Sequence, residues 1–181
     1  MIVKESPLSG KNIGSVDTVT IREKAGVPAF DLRVSPNSEA QKAIVEALGI
    51  RLPVKTGQAI LTSASHLLCL APDWWLLVGM NQIDVKLSSL VDAHHLSIVN
   101  VTGQRTTIEI KGPNAREVLS HLWEQDLRNK SFPIGSVSQG IMAKSQVIVY
   151  RLDEDCYQIM VRASFAKHLW MSLEDAAIEW V

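Results

Sequence analysis

Two helical apolar faces stand 75 positions apart. Ala115, Val118, Leu119, Leu122 and Trp123 each lie 75 residues beyond Ala40, Ala43, Ile44, Ala47 and Leu48. A stripe at i, i+3, i+4, i+7 and i+8 is the buried side of an amphipathic helix. Its recurrence points to an internal duplication, in which each copy hides its one-sided helices against a sheet. A shared Pro-Asn pair, Pro36-Asn37 and Pro113-Asn114, recurs at an offset of 77 and marks the same helix start in both halves.

The order of elements repeats around those helices. In the first half, β-branched alternation predicts strands at 16–22 and 29–34, with Gly26-Val27-Pro28 as the turn of a hairpin. A helix follows, capped by Ser35 with Pro36 at its first position and Gly49 at its end. Three strands at 58–62, 67–71 and 74–78 and a helical stripe of Ile83, Leu87, Leu90 and Val91 complete the unit. The second half reads as strands at 98–101 and 106–110, a helix opened by Gly112-Pro113, and strands at 137–143, 147–152 and 157–161. Asp153-Glu154-Asp155 forms a solvated turn, and Ser164 caps a last helix bearing Leu169, Trp170 and Leu173. The predicted fold class is α+β, with duplicated β2-α-β3-α subdomains at about 16–95 and 96–181 behind a mobile arm at 1–15.

Charge and composition exclude several functions. With 18 Lys and Arg against 19 Asp and Glu, the net charge of −1 offers no field for a phosphate backbone, so no nucleic-acid partner is expected. Cys69 and Cys156, 87 positions apart, fit neither a disulfide framework nor a zinc module. The N-terminal residues carry early charges and Pro7, unlike a secretory signal, and Pro72-Asp73 breaks the most apolar stretch short of a membrane span. A cytoplasmic location without membrane contact is the expectation.

Chemistry-bearing motifs are sparse. Lys55-Thr56-Gly57 and Ser164-Phe165-Ala166-Lys167 match short motifs of serine β-lactamases, but in reversed chain order. The histidines make no metal-ligand spacing, and no glycine-rich phosphate loop occurs. No catalytic, cofactor-binding or metal residue is therefore assigned. The tryptophans are the remaining signal. Adjacent Trp74 and Trp75 must face opposite sides of one strand, and Trp180 lies next to the C-terminus, so Trp75 and Trp180 are the candidate partner-interface residues.

The run Leu70-Ala71-Pro72-Asp73-Trp74-Trp75, then Arg105-Thr106, Gly112-Pro113-Asn114-Ala115, Asp126-Leu127, Phe132-Pro133-Ile134-Gly135 and Val161-Arg162-Ala163-Ser164, resembles the gamma subunit of heterotetrameric sarcosine oxidase. More distantly, the second half is similar to the folate-binding, N-terminal domain of aminomethyltransferases. The resemblance implies a non-catalytic subunit of a complex that demethylates sarcosine to glycine, makes hydrogen peroxide and passes a one-carbon unit to tetrahydrofolate. It implies an alpha subunit as docking partner, with beta and delta subunits alongside, and FAD, FMN, NAD, tetrahydrofolate and zinc held in those chains. Aminomethyltransferases place aspartates where this chain has Ala143-Lys144-Ser145-Gln146, and no Asp or Glu occurs between Leu127 and Leu152. A carboxylate to manage folate protons is missing from that hairpin. The competing expectation is a stand-alone folate-binding or one-carbon-transfer protein.

Overall fold

The computed structural model describes residues 5–63 and 65–181. The chain divides into two units, one of Pro28–Thr102 and one that runs to Val27, resumes at Gly103 and ends at Val181.

The Pro28–Thr102 unit is built on strands β3 (Ala29–Val34), β4 (Ala59–Leu61), β5 (His66–Ala71), β6 (Trp74–Val78) and β7 (Leu96–Asn100), which lie in the order β4-β5-β6-β3-β7. Every neighbouring pair is antiparallel. One face carries Phe30, Leu32 and Val34 beside Leu67, Cys69, Trp75 and Leu77, and their core takes in Ala40, Ile44 and Leu48 of helix α1 (Glu39–Leu48). Helix α1 is capped by Ser38, whose hydroxyl accepts from the Gln41 amide at 3.2 Å, and not by Ser35 as expected. Asn37 takes φ +59, and this extra left-handed turn moves the start three residues on. The stripe at 83–91 is split into α2 (Ile83–Lys86) and α3 (Ser88–Ala93), with Leu87 fully buried at the joint.

The other unit holds β1 (Asn12–Gly14), β2 (Thr20–Lys24), β8 (Arg105–Lys111), β9 (Val137–Met142), β10 (Ser145–Asp153) and β11 (Cys156–Arg162), in the order β1-β2-β8-β11-β10-β9. Ile21, Ile108, Ile110, Val147, Val149, Ile159 and Val161 point into a core shared with α4 (Ala115–Leu122) and α5 (Ala166–Ala176). Before α4, Gly112 sits at φ +130, and a Cβ there would lie 2.6 Å from the Thr18 carbonyl oxygen, so no other residue fits this crossing. Helix α5 begins after a 3₁₀ turn at Ala163–Phe165, and no side chain caps it. The expected Ser164 cap is therefore replaced by that tight turn.

The two sheet orders correspond strand for strand: β4-β5-β6-β3 runs parallel in sequence logic to β9-β10-β11-β8, and the duplication is real in topology. The fifth strand of each is exchanged. Strand β2, from the first sequence repeat, pairs with β8, while β7, at the start of the second, pairs with β3. The hairpin expected at Gly26-Val27-Pro28 does not form, because β2 and β3 belong to different sheets. Division near residue 96 follows the sequence repeat, whereas contacts divide the chain at 27/28 and 102/103.

The expected arm at 1–15 is corrected over its described part. Leu8 is buried to 2% exposure in the core, Asn12–Gly14 pair with β2, and the Gly10 amide donates to Glu23 at 2.6 Å. Residues 1–4 lie outside the described residues. No helix among the described residues is long and apolar enough to cross a membrane.

Candidate functional site

Alternation in the six-stranded sheet places most of its apolar residues toward the helices and, beside buried Ile148 and Met160, a polar row on the opposite face. There, one register row crosses five strands: Asn12 opposite Arg22, Arg22 opposite Glu109, Glu109 opposite Gln158, and Gln158 opposite Tyr150. Directly opposed residues on one face are close enough to bond, and from Arg22 to Tyr150 these do. The Tyr150 hydroxyl donates to Gln158 Oε1, Gln158 Nε2 donates to Glu109 Oε2 at 3.3 Å, and Arg22 Nε donates to Glu109 Oε1 at 2.7 Å. Lys24 Nζ stands 3.9 Å from the same carboxylate.

Glu109 is 6% exposed, and a buried carboxylate is stable only when paired and hydrogen-bonded. The row supplies both conditions. Its charge acts on its neighbours. Burial first, then Glu109, pushes the Tyr150 phenol well above the usual tyrosine range and the Cys156 thiol up to about 11. Both stay neutral at physiological pH, so neither is a ready nucleophile. This raised thiol carries a stability consequence. The unfolded chain loses the cysteine proton near its reference value of 9.0, the folded chain two units later, so stability is intact below pH 9 and declines as pH rises toward 11. Urea midpoints at about pH 8 and about pH 10.5 are expected to fall in the wild type and to fall less in Cys156→Ala.

The hairpin that lacks carboxylates turns at Ala143 and Lys144, with φ +46 and +63, the pattern of a two-residue turn between antiparallel strands. His168 of α5 holds its tip, with Nε2 at 2.8 Å from the Ala143 carbonyl oxygen. Glu109 escaped the sequence reading because it lies outside 127–152, on a strand brought beside that hairpin's β10 only through β11. Its sequence signal was a lone acid at an alternating position in β8.

Of the two expected interface residues, Trp75 is corrected. Its indole is 1% exposed within the core of the Pro28–Thr102 unit, and Nε1 donates to the Pro53 carbonyl at 2.8 Å, leaving no surface to offer. Trp74 takes the outward side, donating to Asp31 Oδ1 at 3.0 Å with the Arg33 guanidinium 4.4 Å from its ring. Trp180 is half-buried: its ring is 5.8 Å from that of His121, and its carbonyl accepts from the Thr18 hydroxyl at 2.5 Å. Exposed Ile178 and Val181 flank it in sequence. Among the described residues, no group of three His, Cys, Asp or Glu side chains could hold a metal ion.

The duplicated α+β units define the chain as one with the folate-binding-domain fold of aminomethyltransferases. Its likeness to the glycine cleavage aminomethyltransferase T of Bartonella henselae has a TM-score of 0.66 at 18% identity, covering 96% of this chain and 57% of that one, and is one of fold alone. The particular family is shown by sequence: the model of the sarcosine oxidase, gamma subunit family (SoxG) matches residues 34–179, and the chain belongs to that family. The sarcosine oxidase gamma subunit of Corynebacterium sp. strain U-96 is 29% identical over 165 residues, 90% of this chain and 80% of the relative. That of Arthrobacter sp. is 25% identical over 179 residues, 97% of this chain and 87% of the relative. Among solved structures, a chain of the heterotetrameric sarcosine oxidase from Corynebacterium sp. U-96, in complex with pyrrole 2-carboxylate, matches with a TM-score of 0.89 and 26% identity, over 97% of this chain and 95% of that one.

Proposed function

We propose that this chain is the gamma subunit of a cytoplasmic heterotetrameric sarcosine oxidase, a non-catalytic member that docks on the large alpha subunit with beta and delta subunits completing the complex. The complex oxidatively demethylates sarcosine to glycine with formation of hydrogen peroxide and passes the one-carbon unit to tetrahydrofolate. FAD, FMN, NAD, tetrahydrofolate and zinc are assigned to the partner chains. One observation carries the reading: nearly the whole chain superposes on nearly the whole of a subunit from such an assembly. The chemistry of the 127–152 segment agrees, since it holds no carboxylate with which to exchange folate protons.

Affinity purification of the tagged chain from its native cell is expected to bring down a large flavoprotein with flavin absorbance. Tight, stoichiometric binding of tetrahydrofolate by the isolated chain would overturn the non-catalytic assignment in favour of the stand-alone folate reading. Trp180 is the proposed interface anchor, because aromatic residues beside exposed aliphatic ones dominate subunit contacts. Trp180→Ala is expected to weaken subunit retention by roughly 30-fold, the effect of losing about 2 kcal/mol at an interface. Retention at the wild-type level, read by size exclusion of the co-expressed complex, would remove Trp180 from the interface.

A further inference from the structure

A cavity of about 340 Å³ opens on the polar face of the six-stranded sheet, lined by Asn12, Val16, Thr20, Arg22, Glu109 and Lys111. The strands set these groups side by side, with Asn12 opposite Arg22, Arg22 opposite Glu109, and Thr20 opposite Lys111 two residues along on the same face. Two cations and one carboxylate face the same space.

Donors and acceptors there are unequally spent. Both Glu109 oxygens are engaged, Oε1 by Arg22 and Oε2 by Gln158, with Lys24 nearby. Thr20 gives its hydroxyl proton to the Lys111 carbonyl at 3.1 Å. By contrast, among the described residues the Lys111 ammonium and the Asn12 side-chain amide make no hydrogen bond or ion pair, and Arg22 uses only Nε and one terminal nitrogen on Glu109. A guanidinium has five N–H donors in a rigid fork suited to oxyanions, so part of that fork remains for a ligand.

We propose that this cavity binds a small organic acid by its oxyanion head, carboxylate or phosphate, through Arg22, Lys111 and Asn12, with Glu109 as the positioning residue that fixes the Arg22 guanidinium. The cavity exceeds what a bare oxyanion fills and falls at the lower end of the range for small-molecule sites, so the ligand carries an organic body. Val16, 80% exposed at the rim, supplies an apolar wall for it. The inference rests on this chain's own side chains and is independent of its role in an oxidase.

The test is titration of the full chain with succinate as the carboxylate probe and glycerol 3-phosphate as the phosphate probe, at ionic strength held constant with potassium chloride. Saturable one-site binding of at least one probe is expected, and the two arms distinguish the head group. Lys111→Gln is expected to weaken it at least about tenfold, the loss of one charge-assisted hydrogen bond. Arg22→Gln is expected to do the same, and Lys167→Gln, on α5, to leave it unchanged. Because Arg22→Gln also unpairs buried Glu109, its fold is checked by its urea midpoint. Among the described residues the Lys111 side chain has no hydrogen bond or ion pair to lose, so its variant decides the matter alone. Absence of saturable binding by both probes, or binding to Lys111→Gln as tight as to wild type, would overturn the proposal.

Discussion

Trp75→Ala is expected to be the most destabilising single change in the Pro28–Thr102 unit, by about 3–5 kcal/mol, read as a fall in the urea midpoint at unchanged slope. The ring fills the centre of a core that strands β3, β5 and β6 share with α1, and with 1% exposure it has no route to collapse onto solvent. Its removal adds a cavity to the lost burial, and it strands the Pro53 carbonyl, which the indole N–H satisfies at 2.8 Å. Trp75→Phe separates these contributions. It keeps most of the apolar volume but supplies no donor, so a loss of only about 1–2 kcal/mol is expected. Equal losses for the two variants would mean that the hydrogen bond, and not the packing, dominates.

The second large effect is expected at Arg151, whose side chain is buried with no carboxylate partner among the described residues. Nε donates to the Asp153 carbonyl at 3.1 Å, one terminal nitrogen donates to Asn129 Oδ1 at 2.7 Å and the Phe132 carbonyl at 2.8 Å, and the other donates to the Glu154 carbonyl. The guanidinium also lies 5.5 Å from the Tyr157 ring. One planar fork thus ties the loop at 129–132 to the acidic turn after β10. Arg151→Met removes every donor at once. The turn carbonyls can recruit water, but Phe132 is buried, and the expected cost is about 3–5 kcal/mol. Arg151→Lys keeps the charge but cannot span the same acceptors, and should recover less than half of the loss. Urea midpoints of the three proteins check the order wild type, Lys, Met.

Much of the architecture was legible because it depends on local pattern. The two helix faces, the Gly49 terminus at φ +70 and the strand at 74–78 follow from spacing and from glycine's access to left-handed backbone. Pairing partners were not legible. The alternation of β2 is the same whether it faces β3 or β8, and only long-range packing chooses β8. Trp74 and Trp75 show the same limit, since alternation says that they diverge but not which of them faces the core. The packed N-terminal segment turned on one residue, Leu8, amid polar neighbours. Within the sites, nothing in the sequence sets Glu109 or Arg151 apart from other strand charges. Their partners come largely from distant positions: Gln158 and Arg22 for Glu109, Asn129 and the Phe132 carbonyl for Arg151, with the Asp153 and Glu154 carbonyls added locally.

The exchanged strands also set a timetable for synthesis. All five strands of the Pro28–Thr102 unit lie in one uninterrupted stretch, and its two ends are fastened together, Val101 N–H to the Ala29 carbonyl at 2.9 Å and Ala29 N–H to the Thr102 hydroxyl at 3.0 Å. That unit can close as soon as it leaves the ribosome. Strands β1 and β2 precede the rest of their sheet and yet must wait longest: Arg22 meets Glu109 across 87 positions, a delay of about 4–20 s at ordinary elongation rates. During that interval they are a two-stranded ribbon with an open edge, marginal in water by itself. The charged Arg22 and Lys24 on β2 discourage stray pairing with other nascent chains until β8 arrives.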